Sequence, residues 1–312
     1  MLLAVLDDLL VGTAAAPLRR ALLESGLGDG LCAHGLSLGY RQPVFSIGLK
    51  GVNAERAAEV DLLARETLDR CIRDGFPAAA IEASLNRLDF RIREADTGSS
   101  PRGLFYFSQL LPTWLFGVDP LETLALRETM DGVRRRILAR PAVLTERLRE
   151  LTLDNPHRVF IRLVPDTELE RRAAEEERRE LAAIRAAMTD DDAQRLVEET
   201  ASFRARQQEP DPPEAHATLP RLPLSSIPVE QPDIPLHEEV SGGTTVLRAP
   251  LATNGVLYLH LGFRLDPGAS ASWMLLPFLA RSFNRLGTAS TEFARMAERI
   301  GIHTGGISAD VA

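Results

Sequence analysis

Residues 166–214 hold fifteen acidic and eight basic side chains, a net charge of −7, while the whole 312-residue chain carries only −8. A segment so charged and so poor in apolar residues cannot bury a core of its own. It therefore divides the chain into two flanking blocks joined by an exposed connector. Within it, Leu169, Leu181, Ile184 and Met188, then Leu196, Val197 and Phe203, supply a thin apolar seam. Thr167-Glu-Leu-Glu170 and Thr189-Asp-Asp-Asp192 both resemble capping boxes. The segment reads as a helical hairpin with a tight junction near Thr189. Eight prolines between 210 and 235 then make residues 215–235 an extended linker.

The block before the connector, residues 1–165, mixes helix and strand signals. Apolar residues at 2, 3, 5, 6, 9 and 10 draw one helical face, and Asp7 and Asp8 interrupt what could otherwise pass for a signal peptide. A second helix runs over 17–27 before a glycine-rich exit. Residues 31–40 and 43–50 read as short strands, and Asn53 is an N-cap for a helix to Asp74. The clearest stripe is Ile81, Leu85, Leu88 and Ile92, flanked by the polar row Glu82, Asn86, Asp89 and Arg93. Ser100-Pro101 and Asp119-Pro-Leu-Glu122 open further helices, and 157–164 alternates enough to be a returning strand. In the second block, from 236, strands are expected at 246–247 and 255–265 and helices at 271–286 and 291–300. Residues 301–312 look like the start of another strand. The fold class is α+β, built as a two-layer domain, a hairpin and the beginning of a second, related domain.

Composition excludes several functions. Arginine outnumbers lysine 35 to 1, yet acidic residues exceed basic ones by 44 to 36 and no basic stretch stands out, which argues against nucleic acid. The arginine excess reads as coding bias in a GC-rich bacterial genome. Cys32 and Cys71 are too few for a disulfide framework, and no apolar run is long enough to cross a bilayer, so a cytoplasmic location is expected.

No active site can be assembled from local motifs. No two of the six histidines lie within five residues, so neither His-Glu-x-x-His nor His-x-x-Glu-His occurs. His237-Glu-Glu239 reads as a polar surface stretch, and Gly26-Leu-Gly-Asp-Gly30 as a helix exit. The polar candidates are Arg93, Glu94 and Arg102, which with Arg91 form a charged knot around the loop 97–100, together with Asn155, His157 and Asn254. The knot either binds a ligand or fixes two helices by ion pairs. His157 follows Asn155-Pro156 as a hydrogen-bonded turn histidine, and Thr253-Asn-Gly255 is a turn before a strand.

Several phrases together resemble the presequence-protease branch of the pitrilysin/insulinase zinc metallopeptidases. They are Pro17-Leu-Arg-Arg-Ala-Leu-Leu-Glu-Ser-Gly-Leu-Gly28, Phe45-Ser-Ile-Gly-Leu-Lys-Gly51, Ile81-Glu-Ala-Ser-Leu-Asn86, Arg93-Glu94, Pro101-Arg-Gly-Leu104, Asp154-Asn-Pro-His-Arg158, Leu219-Pro-Arg-Leu222, Thr253-Asn-Gly255 and Thr304-Gly-Gly-Ile-Ser308. The resemblance implies four related α+β domains in two halves, joined by a hairpin around a peptide-filled chamber. On that map 1–165 is the second, non-catalytic domain, 166–214 the hairpin and 236–312 the N-terminal part of the third domain. The family's zinc ligands and general base lie in its first domain and its transition-state arginine and tyrosine in its fourth. No catalytic or metal residue transfers here, and no cofactor is expected in this chain, zinc belonging to the complete enzyme. The implied role is a central, non-catalytic fragment of an endopeptidase that degrades short unstructured peptides. The alternative is a silent scaffold subunit paired with an active partner. The expected partners are peptide substrates of the complete enzyme and either the missing first and fourth domains or a separate active subunit. A homodimer through exposed edges is a further possibility, and neither nucleic acid nor membrane is expected.

Overall fold

The computed structural model describes residues 1–95, 101–220, 223–227, 233–264 and 274–311. Expectations for the loop 97–100, the Ser100 cap, Arg221, Leu222, Pro228, Pro232, Leu265 and 271–273 fall outside the described residues. Two compact units are present, one of Met1–Arg162 with Ala252–Ala312 and one of Leu163–Leu251.

The first unit is built from apolar helix stripes closing on one another. Helices α1 (Leu2–Val11) and α2 (Pro17–Glu24) precede an antiparallel pair, β1 (Gly30–Ser37) and β2 (Val44–Lys50), in which Gly30 faces Lys50 and Ser37 faces Val44. Then follow α3 (Ala57–Asp74), α4 (Ala78–Glu94), α5 (Arg102–Trp114), α6 (Pro120–Leu124), α7 (Leu126–Ala139) and α8 (Ala142–Thr152). Asn53 caps the 3-10 turn Ala54–Arg56 that leads into α3, its side chain accepting from the Glu55 N–H at 3.0 Å. The Ile81, Leu85 and Leu88 stripe enters the core with Val5, Leu9, Leu18, Leu22, Met130 and Leu144, and Ile92 packs at its margin.

Several expectations are corrected. Residues 157–162 form no strand, nor do 255–264 or 304–311; their backbone bonds to no neighbouring strand among the described residues. The strand expected over 31–40 ends at Ser37. Pro101 is the N-cap of α5 and not its first helical residue, and α5 buries no side chain. Asp119 caps α6 through the Leu121 N–H at 2.8 Å, forming only the first half of the expected box. Of the helix expected over 271–286, the α-helical part among the described residues is Leu276–Ser282.

Asp8 is the exception in an otherwise apolar α1 face. It is only 5 % exposed and is held by Arg87 of α4, Nη2 to Oδ2 at 2.5 Å. Its neighbour Asp7 accepts from the Leu36 N–H at 2.7 Å, tying α1 to β1. Burial pushes the Asp7 carboxyl above its ordinary value, the Leu36 bond opposes this, and Asp8 adds to it. A carboxyl whose folded pKa is raised stabilises most below its unfolded pKa and loses that contribution as pH rises through the folded value. Asp7→Asn should therefore raise Tm at neutral pH and leave it nearly unchanged in acid, as a Tm series against pH would read.

The second unit contains α9 (Leu169–Ala187), α10 (Asp190–Gln208), α11 (Pro213–Thr218) and a hairpin of β3 (His237–Ser241) and β4 (Thr244–Arg248). Both long helices are present, but neither has a buried residue, so the apolar seam stays exposed. At α9 the Thr167 box is not formed; instead Asp166 accepts from the Glu168 N–H at 2.9 Å. At α10 the box is complete, Thr189 and Asp192 each bonding the other's N–H at 3.2 Å. Thr189→Ala should cost α10 about 1 kcal/mol of helix stability, visible as lost helical circular dichroism. Thr189 also holds the Asp192 carboxyl below its ordinary value, so the box weakens as pH falls through that lowered pKa. The linker is not uniformly extended, since α11 opens it and Leu224–Ser226 forms one helical turn.

Candidate functional site

Helix α4 gathers the sequence candidates. Its apolar stripe is turned into the core, which leaves Asn86, Asp89 and Arg93 along one flank and Glu94 at its end. The first unit is completed by α12 (Leu276–Ser282) and α13 (Phe293–His303), and α13 lies against this flank. Asn86 uses both ends of its amide: Nδ2 donates to the Ile302 carbonyl at 2.8 Å, and Oδ1 accepts from Arg134 of α7 at 3.0 Å.

The end of α4 repeats the arrangement. Arg93 Nε donates to Asp89 Oδ2 at 2.9 Å, so its guanidinium is fixed along its own helix. Its backbone carbonyl accepts from Asn254 Nδ2 at 2.9 Å, while Asn254 Oδ1 accepts from Arg127 at 2.7 Å. The Tyr258 hydroxyl donates to Glu94 Oε1 at 3.2 Å. Asn254 adopts a left-handed φ of 53°, a conformation that asparagine tolerates better than most residues.

Three of the six candidates, Arg93, Glu94 and Asn254, are thus brought together. Arg102 is exposed at the first residue of α5 and joins none of them among the described residues. The charged knot is expected around the loop 97–100, outside the described residues; among those described, Arg91 reaches Asp8 at 4.0 Å and Arg93 turns to Asp89. Asn155 and His157 lie apart. Asn155 accepts from the His157 N–H at 2.9 Å and donates to the Leu151 carbonyl at 3.2 Å, while the His157 ring is exposed. These residues make the turn read from Asn-Pro-His, and among the described residues no second catalytic group faces the imidazole. Sequence reading missed Arg127, Arg134 and Tyr258, whose partners are 127, 48 and 164 residues away. No local spacing marks contacts of that range.

The chemistry of this arrangement is that of a joint. Asn86, Arg93 and Glu94 are each bonded to another protein group, while Asp89 holds Arg93 through Oδ2 and leaves its buried Oδ1 without a hydrogen-bond partner; among the described residues no nucleophile stands beside a base. Among the described residues no three His, Cys, Asp or Glu side chains converge as a metal site would require. The residues described do not fit a zinc centre. Burial pushes the Cys71 thiol up, which keeps it protonated and unreactive. Among the described residues no helix is long and apolar enough to cross a membrane.

Comparison with known proteins covers nearly the whole chain. The model of the inactive domain of peptidase family M16 matches residues 1–88, and the model of the associated region of subfamily C of the same peptidases matches residues 163–312. Presequence protease 1, chloroplastic/mitochondrial, of Arabidopsis thaliana is 39 % identical over 308 residues, 98 % of this chain and 28 % of that protein. Protein HypA of Clostridium perfringens is 26 % identical over 307 residues, 97 % of this chain and 31 % of that protein. The mitochondrial presequence protease of Yarrowia lipolytica is 26 % identical over 309 residues, 99 % of this chain and 30 % of that protein. The chain spans less than a third of the length of these relatives.

Proposed function

We propose a function from one premise: this chain belongs to the pitrilysin/insulinase (M16) family of peptidases, in its presequence-protease branch. On our reading it is a non-catalytic central part of a zinc-dependent endopeptidase that degrades short unstructured peptides, contributing chamber wall and hinge. The observation carrying this is the use made of its polar residues. Where α4 gathers arginine, glutamate and asparagine, Asn86 and Glu94 bond residues of the 252–311 segment, Arg93 bonds Asp89 on its own helix, and none faces a reacting group among the described residues. The match of residues 1–88 to a domain described as inactive supports the same reading. Zinc, and the water it would activate in the whole enzyme, would be held by residues outside those described.

Residues 1–165 then correspond to the second domain, 166–214 to the hairpin, 215–235 to the linker and 236–312 to the start of the third domain. The relatives come from a plant, a bacterium and a yeast, so the comparison does not favour the bacterial source expected from arginine usage.

The test uses the whole 312-residue chain. Elemental analysis of the purified protein should find far less than one zinc per chain. Incubation with an unstructured peptide should leave the peptide intact. One tightly held zinc, with peptide cleavage that a chelator abolishes, would overturn the proposal.

A further inference from the structure

We infer that the flank and end of α4 form a polar latch holding residues 252–264 and 274–311 against the N-terminal part of the chain, and that this latch opens while the α1–α4 core stays folded. The inference does not depend on the peptidase reading. It concerns how residues 1–88, matched by one family model, and the part of the other model's match that lies in the same unit, from Ala252 on, are joined.

Two asparagines do the joining, each with both ends of its amide engaged. Asn86 binds the last turn of α13 through Ile302 and is steadied by Arg134. Asn254 binds the carbonyl end of α4 through Arg93 and is steadied by Arg127. Each therefore couples residues 252–311 to α4 and, through its arginine, to α7. An arginine fixed against the amide oxygen orients the amide, so its nitrogen faces the carbonyl it must donate to.

Close approach comes from glycine. A Cβ on Gly301 would lie 2.4 Å from Arg87 Nη1 and 3.1 Å from Ala83 Cβ. Arg87 is tied to the buried Asp8, so its guanidinium cannot swing away freely. A Cβ on Gly305 would lie 2.2 Å from the Phe90 ring. Neither position accommodates a real side chain without displacement, so the segment sits on α4 because these residues lack one.

Apolar burial in the interface is only partial: Phe293, Met296, Ile300 and Ile302 of α13 are half-buried, and none is part of the core cluster. On the 252–311 side, Val256 and Gly301 are the buried residues among those described. Leu257, Leu259, Leu261, Phe263 and Phe278 are all exposed. The α1–α4 side, by contrast, has a continuous core running through Val5, Leu10, Leu22, Leu85 and Leu88. Burial of apolar surface is the main source of cooperativity between elements. Hydrogen bonds to half-exposed groups exchange for water at small net loss. An interface held mainly by the second kind of contact separates before a core held by the first.

Hydrogen exchange by mass spectrometry on the whole chain tests this. In the double variant Asn86→Ala/Asn254→Ala, which loses four hydrogen bonds, exchange of amides in 293–303 should rise by about tenfold or more. Exchange in α1 and α8 should not change. Gly305→Val, which wedges the same interface by shape, should give the same pattern. Equal acceleration in α1 and α8 would show that 252–311 belongs to one cooperative core and overturn the latch. Unchanged exchange at 293–303 in the double variant would overturn it too, even if Gly305→Val released the segment, because shape and not the asparagines would then hold the joint.

Discussion

Arg87→Leu is expected to destabilise the first unit by about 3 kcal/mol or more, the range seen when one member of a buried ion pair is removed. Asp8 sits among Val5, Leu9 and Leu10 on α1 with almost no exposure to water, and Arg87 approaches both its oxygens, at 2.5 and 3.4 Å. Arg91 is the other cation in reach, but it stands 4.0 Å away and is 70 % exposed, so it cannot replace the lost partner. An unpaired carboxylate there loses hydration with nothing to replace it. Denaturant unfolding of the variant beside the parent chain reads the loss. The double replacement Asp8→Leu/Arg87→Leu should recover most of the stability, since an apolar pair of suitable volume often equals a buried ion pair. A single-variant loss below about 1 kcal/mol would mean that the pair is solvated despite its burial.

That pair also shows where sequence reading stops. Asp7 and Asp8 are visible only as interruptions of an apolar run, whereas the fold uses Asp8 to anchor α4 and Asp7 to anchor β1. The anchoring partners are 79 and 29 residues distant. Features fixed within one or two turns are legible: the Ile81, Leu85 and Leu88 stripe and the Thr189 box form as read, and the Asn53 cap forms at the 3-10 turn that leads into α3. Helices α7 and α8 were readable from Met130 with Ile137 and from Leu144 with Leu148, but charged neighbours obscure the pattern. Strand β3 was hidden by its polar His-Glu-Glu start. Its usable signal was Gly242-Gly243, both at positive φ, the two-residue turn that closes a hairpin.

The strand expectations at 157–164 and 255–265 fail for a different reason. Alternating or continuous apolar residues state a preference, but a strand exists only by pairing. Ile161 and Leu257 remain 79 % and 92 % exposed, so these runs keep strand composition without a strand's neighbours. The candidate site was half legible for the same cause. Residue types in the row Asn86, Asp89 and Arg93 could be singled out on α4, but Asn254 joins them from a segment 161 residues away in sequence.

Gly35→Val is the second large effect, expected to cost about 3 kcal/mol, from backbone strain and overpacking of roughly 1–3 kcal/mol each. Gly35 has φ of +88°, and a Cβ there would lie 2.1 Å from Asp7 Oδ1 and 2.9 Å from Val11 Cγ2. The neighbouring Leu36 N–H is the group that Asp7 accepts from. Valine would therefore press on the carboxylate at the point where β1 meets α1, and the Leu36 bond would be lost with the displacement. Gly26 separates the two causes. Its φ of +66° imposes a similar backbone penalty, but nothing lies within 4 Å of the position a Cβ would take. Gly26→Val should cost only about 1–2 kcal/mol, the strain contribution alone. The gap between the two denaturation midpoints then measures the contact between β1 and α1. Equal losses at both positions would show that backbone conformation, and not the approach of Asp7, fixes Gly35.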